Sequence, residues 1–278
     1  MPDWLKRCRR HAGAVAKGGG RWLQGCDPAW LRVRRRFRRP PAGRVLLLCV
    51  YRAKNARRVA GLVSQARRLD AEIHLWALDA AADALAPWTR GCGPGVRMEL
   101  LNRLWRHAGD SPRRQMVVSD DDIVFTRGDL RSLLAACEQC GFDIAQPAHA
   151  IGSYAGRHFP RSRAFTIARL TSWVDVGPMV VIGADWFHRV LPFPDQSGMG
   201  WGLGLVWGQL RHSGCRLGIV DGICVRHLYP PMLEYDTAPE SRRVTEILHK
   251  LDLRSTSEAQ KCFARWMFWQ PAPPWQVT

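Results

Sequence analysis

Nothing in the sequence approaches the roughly 20 consecutive apolar residues that a bilayer-crossing helix requires. The longest clean run, VLLLCV at 45–50, has the length of a buried strand. The opening stretch, MPDWLKRCRRHAGAVAKGGG, carries charge but no apolar block. A secretory leader is therefore not expected, and the protein is expected in the cytoplasm or at the inner face of the membrane. A disulfide framework is missing too, because the nine cysteines are odd in number and scattered. That usage suits a reducing compartment, where most act as small buried hydrophobes. Cys137 and Cys140 have the C-x-x-C spacing of zinc and redox sites, yet no second such pair accompanies them. The surrounding RSLLAACEQCGF reads as the end of an amphipathic helix, where residues i and i+3 are neighbours anyway. No internal repeat is visible. What remains is a globular composition: 278 residues, 46% hydrophobic, enough for one large α/β domain or two small ones.

Acidic residues are scarce, 24 against 41 Lys and Arg, for a net charge of +17. Residues 1–44 hold thirteen Lys and Arg against two Asp, a net of +11, so most of the excess belongs to an N-terminal arm, assigned here to 1–42. Its densest part is RVRRRFRRP at 32–40. Such a cluster suits an anionic membrane face, nucleic acid or a solvated tail. The interleaved Trp4, Trp22, Trp30 and Phe37 favour the membrane surface over nucleic acid, because aromatic side chains settle at the headgroup boundary.

After RPPAG at 39–43 the pattern becomes regular. RVLLLCVYR reads as a strand, and Val59, Leu62, Val63, Ala66 and Leu69 give 54–69 helical spacing. EIHLWALD at 72–79 is a second strand with a helix expected to follow, and GCGPG at 91–95 breaks the chain before the helix VRMELLNRLWRHA. QMVVS is a strand, RGDLRSLLAACEQCG a helix ended by Gly141, and DIAQP a further short strand. Alternating strands and helices predict an α/β fold with a doubly wound, mostly parallel sheet and helices on both faces. Beyond 150 the sequence predicts a strand and short helix in WVDVGPMVVIGADWFHRVLPF, and a glycine-rich loop entering a helix in GMGWGLGLVWGQLRHSG. CRLGIVDGICVRHL reads as two short strands around Asp221–Gly222, and 236–278 as a helical extension to a domain spanning 43–235.

Asp120, Asp121 and Asp122 lie where QMVVS ends, at the carboxyl end of a strand, which is where parallel sheets bind ligands. On extended backbone Asp120 and Asp122 share a side while Asp121 faces away. Two converging carboxylates suit Mn²⁺ or Mg²⁺, and such a cation offsets their mutual repulsion.

MVVSDDDIVFTRGDL resembles the D-x-D strand end of nucleotide-sugar glycosyltransferases of the GT-A fold. GPGVRMELLNRL and FDIAQPAH are similar to the stretches before and after that strand, while PFPDQSGMGWGLGLVW and GIVDGICVRH resemble the acceptor loop and the C-terminal metal-binding segment. A poorly characterised plant and bacterial family of GT-A-like proteins carries such landmarks, and the likeness covers about 45–230. The resemblance implies a metal held by Asp120, Asp122 and His227, with Tyr51, Arg52, Arg97, Asp120 and Asp121 around a nucleotide-sugar donor. It further implies Trp201 and Gly202 at a glycan or lipid-linked acceptor. The pattern departs at Gly204, where an acidic residue is usual; Asp175, and after it Asp195, are the substitutes expected to act as general base. Two alternatives stay open. DDDIV also fits haloacid-dehalogenase-like, Mg²⁺-dependent phosphatases, although no late Asp-Asp partner follows it, and Gly204 suits a degenerate domain that only binds membrane or nucleic acid.

Overall fold

The computed structural model describes residues 27–37, 43–109, 111–154, 157–195, 197–229 and 237–276. Trp4, Trp22 and most of the basic arm lie outside the described residues. The first described element is helix α1 (Pro28–Arg36), opened by Asp27, whose side chain accepts from the Ala29 N–H. There follow β1 (Val45–Tyr51), α2 (Ala56–Arg67), β2 (Glu72–Ala77), β3 (Thr89–Cys92), α3 (Arg97–Ala108), β4 (Gln115–Ser119) and β5 (Ile123–Arg127). Next come α4 (Leu130–Cys140), β6 (Ile144–His149), β7 (Thr166–Thr171), β8 (Met179–Gly183), α5 (Phe187–Val190) and α6 (Leu203–Gln209). The chain continues through β9 (Leu217–His227), α7 (Ala238–Lys250) and β10 (Cys262–Met267).

Ten strands form one mixed sheet in the order β10-β7-β9-β6-β8-β4-β1-β2-β3, with β5 paired to β9. Strands β1 to β4, β6, β9 and β10 run one way, and β5, β7 and β8 oppose them. Strand β1 shows how the core is laid out. Its residues are all buried, and because side chains alternate across the sheet, Val45, Leu47, Cys49 and Tyr51 join one cluster and Leu46, Leu48 and Val50 the other. The first cluster takes side chains from α1, α2 and α4, the second from α3, α5 and α6. Each fully buried Val or Leu contributes about 1.5–3 kcal/mol to holding these layers together.

Several elements differ from the sequence expectation. The stretch after β2 folds as a short 3-10 turn, Asp83–Trp88, with Pro87 inside it, because proline removes a donor that an α-helix needs. Residues 217–227 form one strand, not two around a turn, and the residues at 221–223 are absorbed as an irregularity in the pairing with β6. Residues 236–278 are not helical throughout, since β10 pairs with β7 and buries Trp266 completely. Helix α1 belongs to the domain as well, with Ala29, Val33 and Phe37 buried at i, i+4 and i+8. Cys137 and Cys140 are free and buried in α4, whose end at Gly141 has φ of 63°. Among the described residues, no helix is long and apolar enough to cross a membrane.

Candidate metal and nucleotide site

The three aspartates form the link between β4 and β5. Both ends of the link are pinned: the Asp120 N–H donates to the Pro178 carbonyl (2.8 Å), and the Leu228 N–H donates to the Asp122 carbonyl (3.1 Å). Because β5 runs back along β9 with Ile123 opposite His227, the register itself delivers the imidazole to the carboxylates. His227 Nε2 lies 2.9 Å from Asp122 Oδ1 and 3.7 Å from Asp120 Oδ2. One ligand atom from each of Asp120, Asp122 and His227 falls within 4.8 Å of the others.

Asp121 points elsewhere, as its place between Asp120 and Asp122 predicts. Its carboxylate accepts from the Arg52 backbone N–H (2.8 Å) and from Asn55 Nδ2 (3.0 Å), tying the link to the end of β1. Arg97, the first residue of α3, reaches Asp120 Oδ1 at 2.5 Å. Burial pushes the Asp120 carboxyl above its ordinary range, Arg97 and His227 draw it down, and the neighbouring aspartates raise it again. Burial does the same to Asp121 against its two N–H donors. For His227, burial alone would favour the neutral ring, but the Asp122 hydrogen bond and the Asp120 charge win and raise its proton affinity. The cluster offers carboxylate and imidazole lone pairs that a divalent cation can engage. Its two carboxylates and one imidazole are a donor set that suits Mn²⁺ and is less typical of Mg²⁺, which prefers oxygen alone.

The loop before β8 closes over this cluster. A Cβ on Gly177 would stand 2.8 Å from Asp120 Oδ2, so the backbone passes close to that carboxylate. Asp175, two residues earlier, is half-buried, and it accepts from Trp173 Nε1 (2.9 Å) while its own N–H donates to Gln146 Oε1 (2.5 Å). Burial raises its carboxyl, with Arg157 and the Trp173 N–H pulling the other way.

The other expected site residues sit on β1, on the loop after α5 and on the loop before α6. Tyr51 is 0% exposed, and its hydroxyl is engaged by Thr89 Oγ1 (3.0 Å) and the Ala82 N–H (3.2 Å). Its position in the alternation of β1 places it in the core cluster that α2 also joins. Asp195 is exposed and accepts from Asn102 Nδ2 (2.5 Å), more than a helical turn along α3 from Arg97. Its contact fixes a loop. Trp201 and Gly202 lie on the loop before α6, and Gly202 has φ of 90°, where glycine carries no penalty.

That loop is held by a residue the sequence did not single out. Glu240, in the first turn of α7 and 4% exposed, accepts from Ser197 Oγ (2.9 and 3.0 Å), the Met199 N–H (3.1 Å) and the Trp201 N–H (3.2 Å). The only signal in APESRR is an acidic residue beside a proline at a helix start, which many helices share. Gly204 has a packing reason. A Cβ there would lie 2.7 Å from the Trp173 ring and from the Val174 carbonyl, and one on Gly208 would lie 2.8 Å from the Ser172 carbonyl. Helix α6 rests its backbone on residues 172–174, so no carboxylate fits at 204. Asp221, part of the GIVD landmark, is fully buried in an ion pair with Arg169 (2.7 Å) and accepts from the Arg163 N–H (2.7 Å).

No protein-family model matches the chain, and no curated protein sequence matches it. Among solved structures it is similar to GalNAc-T7 crystallised with UDP, GalNAc and Mn²⁺, at 11% identity and a TM-score of 0.51, over 74% of this chain and 48% of that one. S. aureus TarS 1-349 in complex with UDP-GlcNAc gives 10% identity and a TM-score of 0.45, over 75% of this chain and 65% of that one. TarS 1-349 alone gives 11% and 0.46, over 77% and 73%. The chain spans about half the length of the GalNAc-T7 chain it matches. A mixed, mostly parallel sheet with helices on both faces, laid out as in GalNAc-T7, is the GT-A glycosyltransferase fold.

Proposed function

We propose that the chain is a metal-dependent glycosyltransferase that moves a sugar from a nucleoside diphosphate donor to a hydroxyl acceptor. One observation carries the reading: Asp120, Asp122 and His227 converge within 4.8 Å at the carboxyl end of the sheet. These three residues would hold Mn²⁺, which when bound neutralises charge on a departing diphosphate. The protein's own groups have separable tasks. Arg97 orients Asp120 and keeps a positive charge beside the site, Asp121 fixes the end of β1 under it, and Arg52 stands at that end to meet the donor. Asp175 is the base assigned to the acceptor hydroxyl: its place beside the Gly177 approach to Asp120 supports this, and a carboxyl raised by burial accepts a proton more readily. Glu240 positions Trp201 for the acceptor, a glycan or lipid-linked hydroxyl. A phosphatase reading is less well supported, because its nucleophilic aspartate would need a free carboxylate where Asp120 is paired with Arg97.

The test is calorimetric Mn²⁺ binding, followed by nucleoside diphosphate release from a panel of nucleotide sugars. Asp122→Asn and His227→Ala are expected to weaken Mn²⁺ at least ~10-fold each and to stop turnover. Asp175→Asn should stop transfer while Mn²⁺ and donor affinity stay near the parent value. Full activity in Asp122→Asn would overturn the reading.

A further inference from the structure

The β10 edge of the sheet carries an exposed aromatic cluster. Strand β7 begins at Thr166 and β10 ends at Met267, opposite one another. Just outside that pair stand Phe165, Phe268 and Trp269, with ring centroids 6.0 Å apart for Phe165–Phe268 and 5.1 Å for Phe268–Trp269. Trp269 is 61% exposed and Phe165 49%. Phe165 also sits at φ of 61°, a left-handed backbone that costs a bulky residue about 1–2 kcal/mol. Its N–H donates to Asp27 Oδ1 (3.3 Å) and its carbonyl accepts from the Phe268 N–H (2.9 Å). The surroundings thus hold a disfavoured conformation that leaves the Phe165 ring half-exposed at the sheet edge.

Arginines frame the cluster. Helix α1 lies against it, with Arg32 donating to the Phe268 carbonyl and Arg36 to the Pro271 carbonyl (2.9 Å), while Arg35 and Leu31 of the same helix are exposed. The sequence on both sides of α1, 1–26 and 38–42, adds further Lys and Arg. Strand β10 runs parallel to β9 through their shared antiparallel neighbour β7, so its carboxyl end, and the aromatic cluster, lie at the sheet end that carries Asp120, Asp122 and His227.

We propose that this surface docks the protein on an anionic lipid bilayer, Trp269 and Phe165 entering the headgroup boundary and the arginines of α1 meeting lipid phosphates. Rings with apolar edges in a basic frame are what that boundary accommodates. A second copy is disfavoured as the occupant, because two chains of charge +17 would press like charges together. Docking this way turns the carboxyl end of the sheet toward the lipid. The inference does not depend on the reaction catalysed.

The full chain is sedimented with vesicles of phosphatidylcholine alone and with vesicles containing about one-third phosphatidylglycerol. Binding is expected only to the anionic vesicles. The double variant Phe165→Asn, Trp269→Ser should weaken it about 10-fold; asparagine tolerates positive φ, so the backbone is kept. Arg35→Gln should weaken it about fivefold. Unchanged circular dichroism and Mn²⁺ affinity show that the fold and the metal cluster are intact. Wild-type vesicle affinity in the double variant would overturn the proposal and leave the basic segments as the sole attachment. So would competition by an oligonucleotide at stoichiometric amounts, or a wild-type dimer that the double variant abolishes.

Discussion

Replacing Glu240 with alanine tests whether α7 holds the loop that carries Trp201. The carboxylate serves three donors, the Ser197 hydroxyl and the Met199 and Trp201 N–H groups, in a site that leaves it 4% exposed. A hydrogen bond to a charged group contributes roughly 1.5–3 kcal/mol. Met199 and Trp201 are only half-buried, so water recovers part of what their N–H groups lose. The net destabilisation should be about 3–5 kcal/mol, including the loss of a negative charge in the first turn of α7. For a domain of this size that is a fall in Tm of roughly 10 °C. Glu240→Gln keeps an acceptor but loses the charge and places an NH₂ against an N–H donor, so it should cost about 1–2 kcal/mol. Thermal and urea unfolding followed by circular dichroism measure both. A cycle with Ser197→Ala isolates the pair, and its coupling should exceed about 1 kcal/mol. A Tm for Glu240→Ala within about 2 °C of the parent, or no coupling to Ser197, would show that the loop stands without α7.

Other expectations follow from the same geometry. Gly204→Ala and Gly204→Asp should each lose about 3 kcal/mol in urea unfolding, because the new Cβ meets the Trp173 ring and the Val174 carbonyl at 2.7 Å; a stable variant would refute the close approach. His149, 5% exposed and without a protein partner for either ring nitrogen among the described residues, is held by burial at a pKa of about 4. Below its unfolded pKa near 6.5 the unfolded chain takes up a proton that the folded chain refuses. Stability should therefore decline between about pH 6.5 and 4 by up to about 3 kcal/mol and then level off, and His149→Leu should flatten that part of the profile. Deleting 1–42 removes Ala29, Val33 and Phe37 from the core and should cost about 5 kcal/mol in urea unfolding.

The grouping of Asp120 with Asp122 was anticipated from neighbouring positions in the sequence, whereas His227 joins them through the β5–β9 register and was suggested only by the resemblance. The expectation rested on extended backbone, while the structure makes the three aspartates a bent link between β4 and β5 that still groups Asp120 with Asp122 and turns Asp121 toward Arg52 and Asn55. The parallel strands and their helices were legible from local pattern. What escaped depends on contacts between distant residues. IVFTR and TIARLT gave no strand signal strong enough to read, yet β5 and β7 form because β9 supplies partners for both. Tyr51 ends β1 as its sequence position suggests, and its burial depends on packing with residues such as Thr89 that lie far along the chain. Gly204 read as a missing acid, while the structure makes it a contact point between a helix backbone and Trp173. Glu240 was invisible because its partners are some forty positions earlier in the chain.

The seat of α1 has a consequence for the order in which the chain folds. Val33 occupies space that a side chain on Gly222 would fill, Phe37 packs edge-on against Trp266 at 6.1 Å, and Asp27 pairs with Arg127 at 3.2 Å. During synthesis this first described helix emerges long before the residues that receive it, and a nine-residue helix is not stable alone in water. It must wait, unpaired, until β9 and β10 have been made. Closing contacts across more than two hundred residues is slow compared with forming the β1–α2 unit. Nascent chains halted before Cys262 should therefore leave α1 open to protease while the sheet around β1, β2 and β4 is already protected.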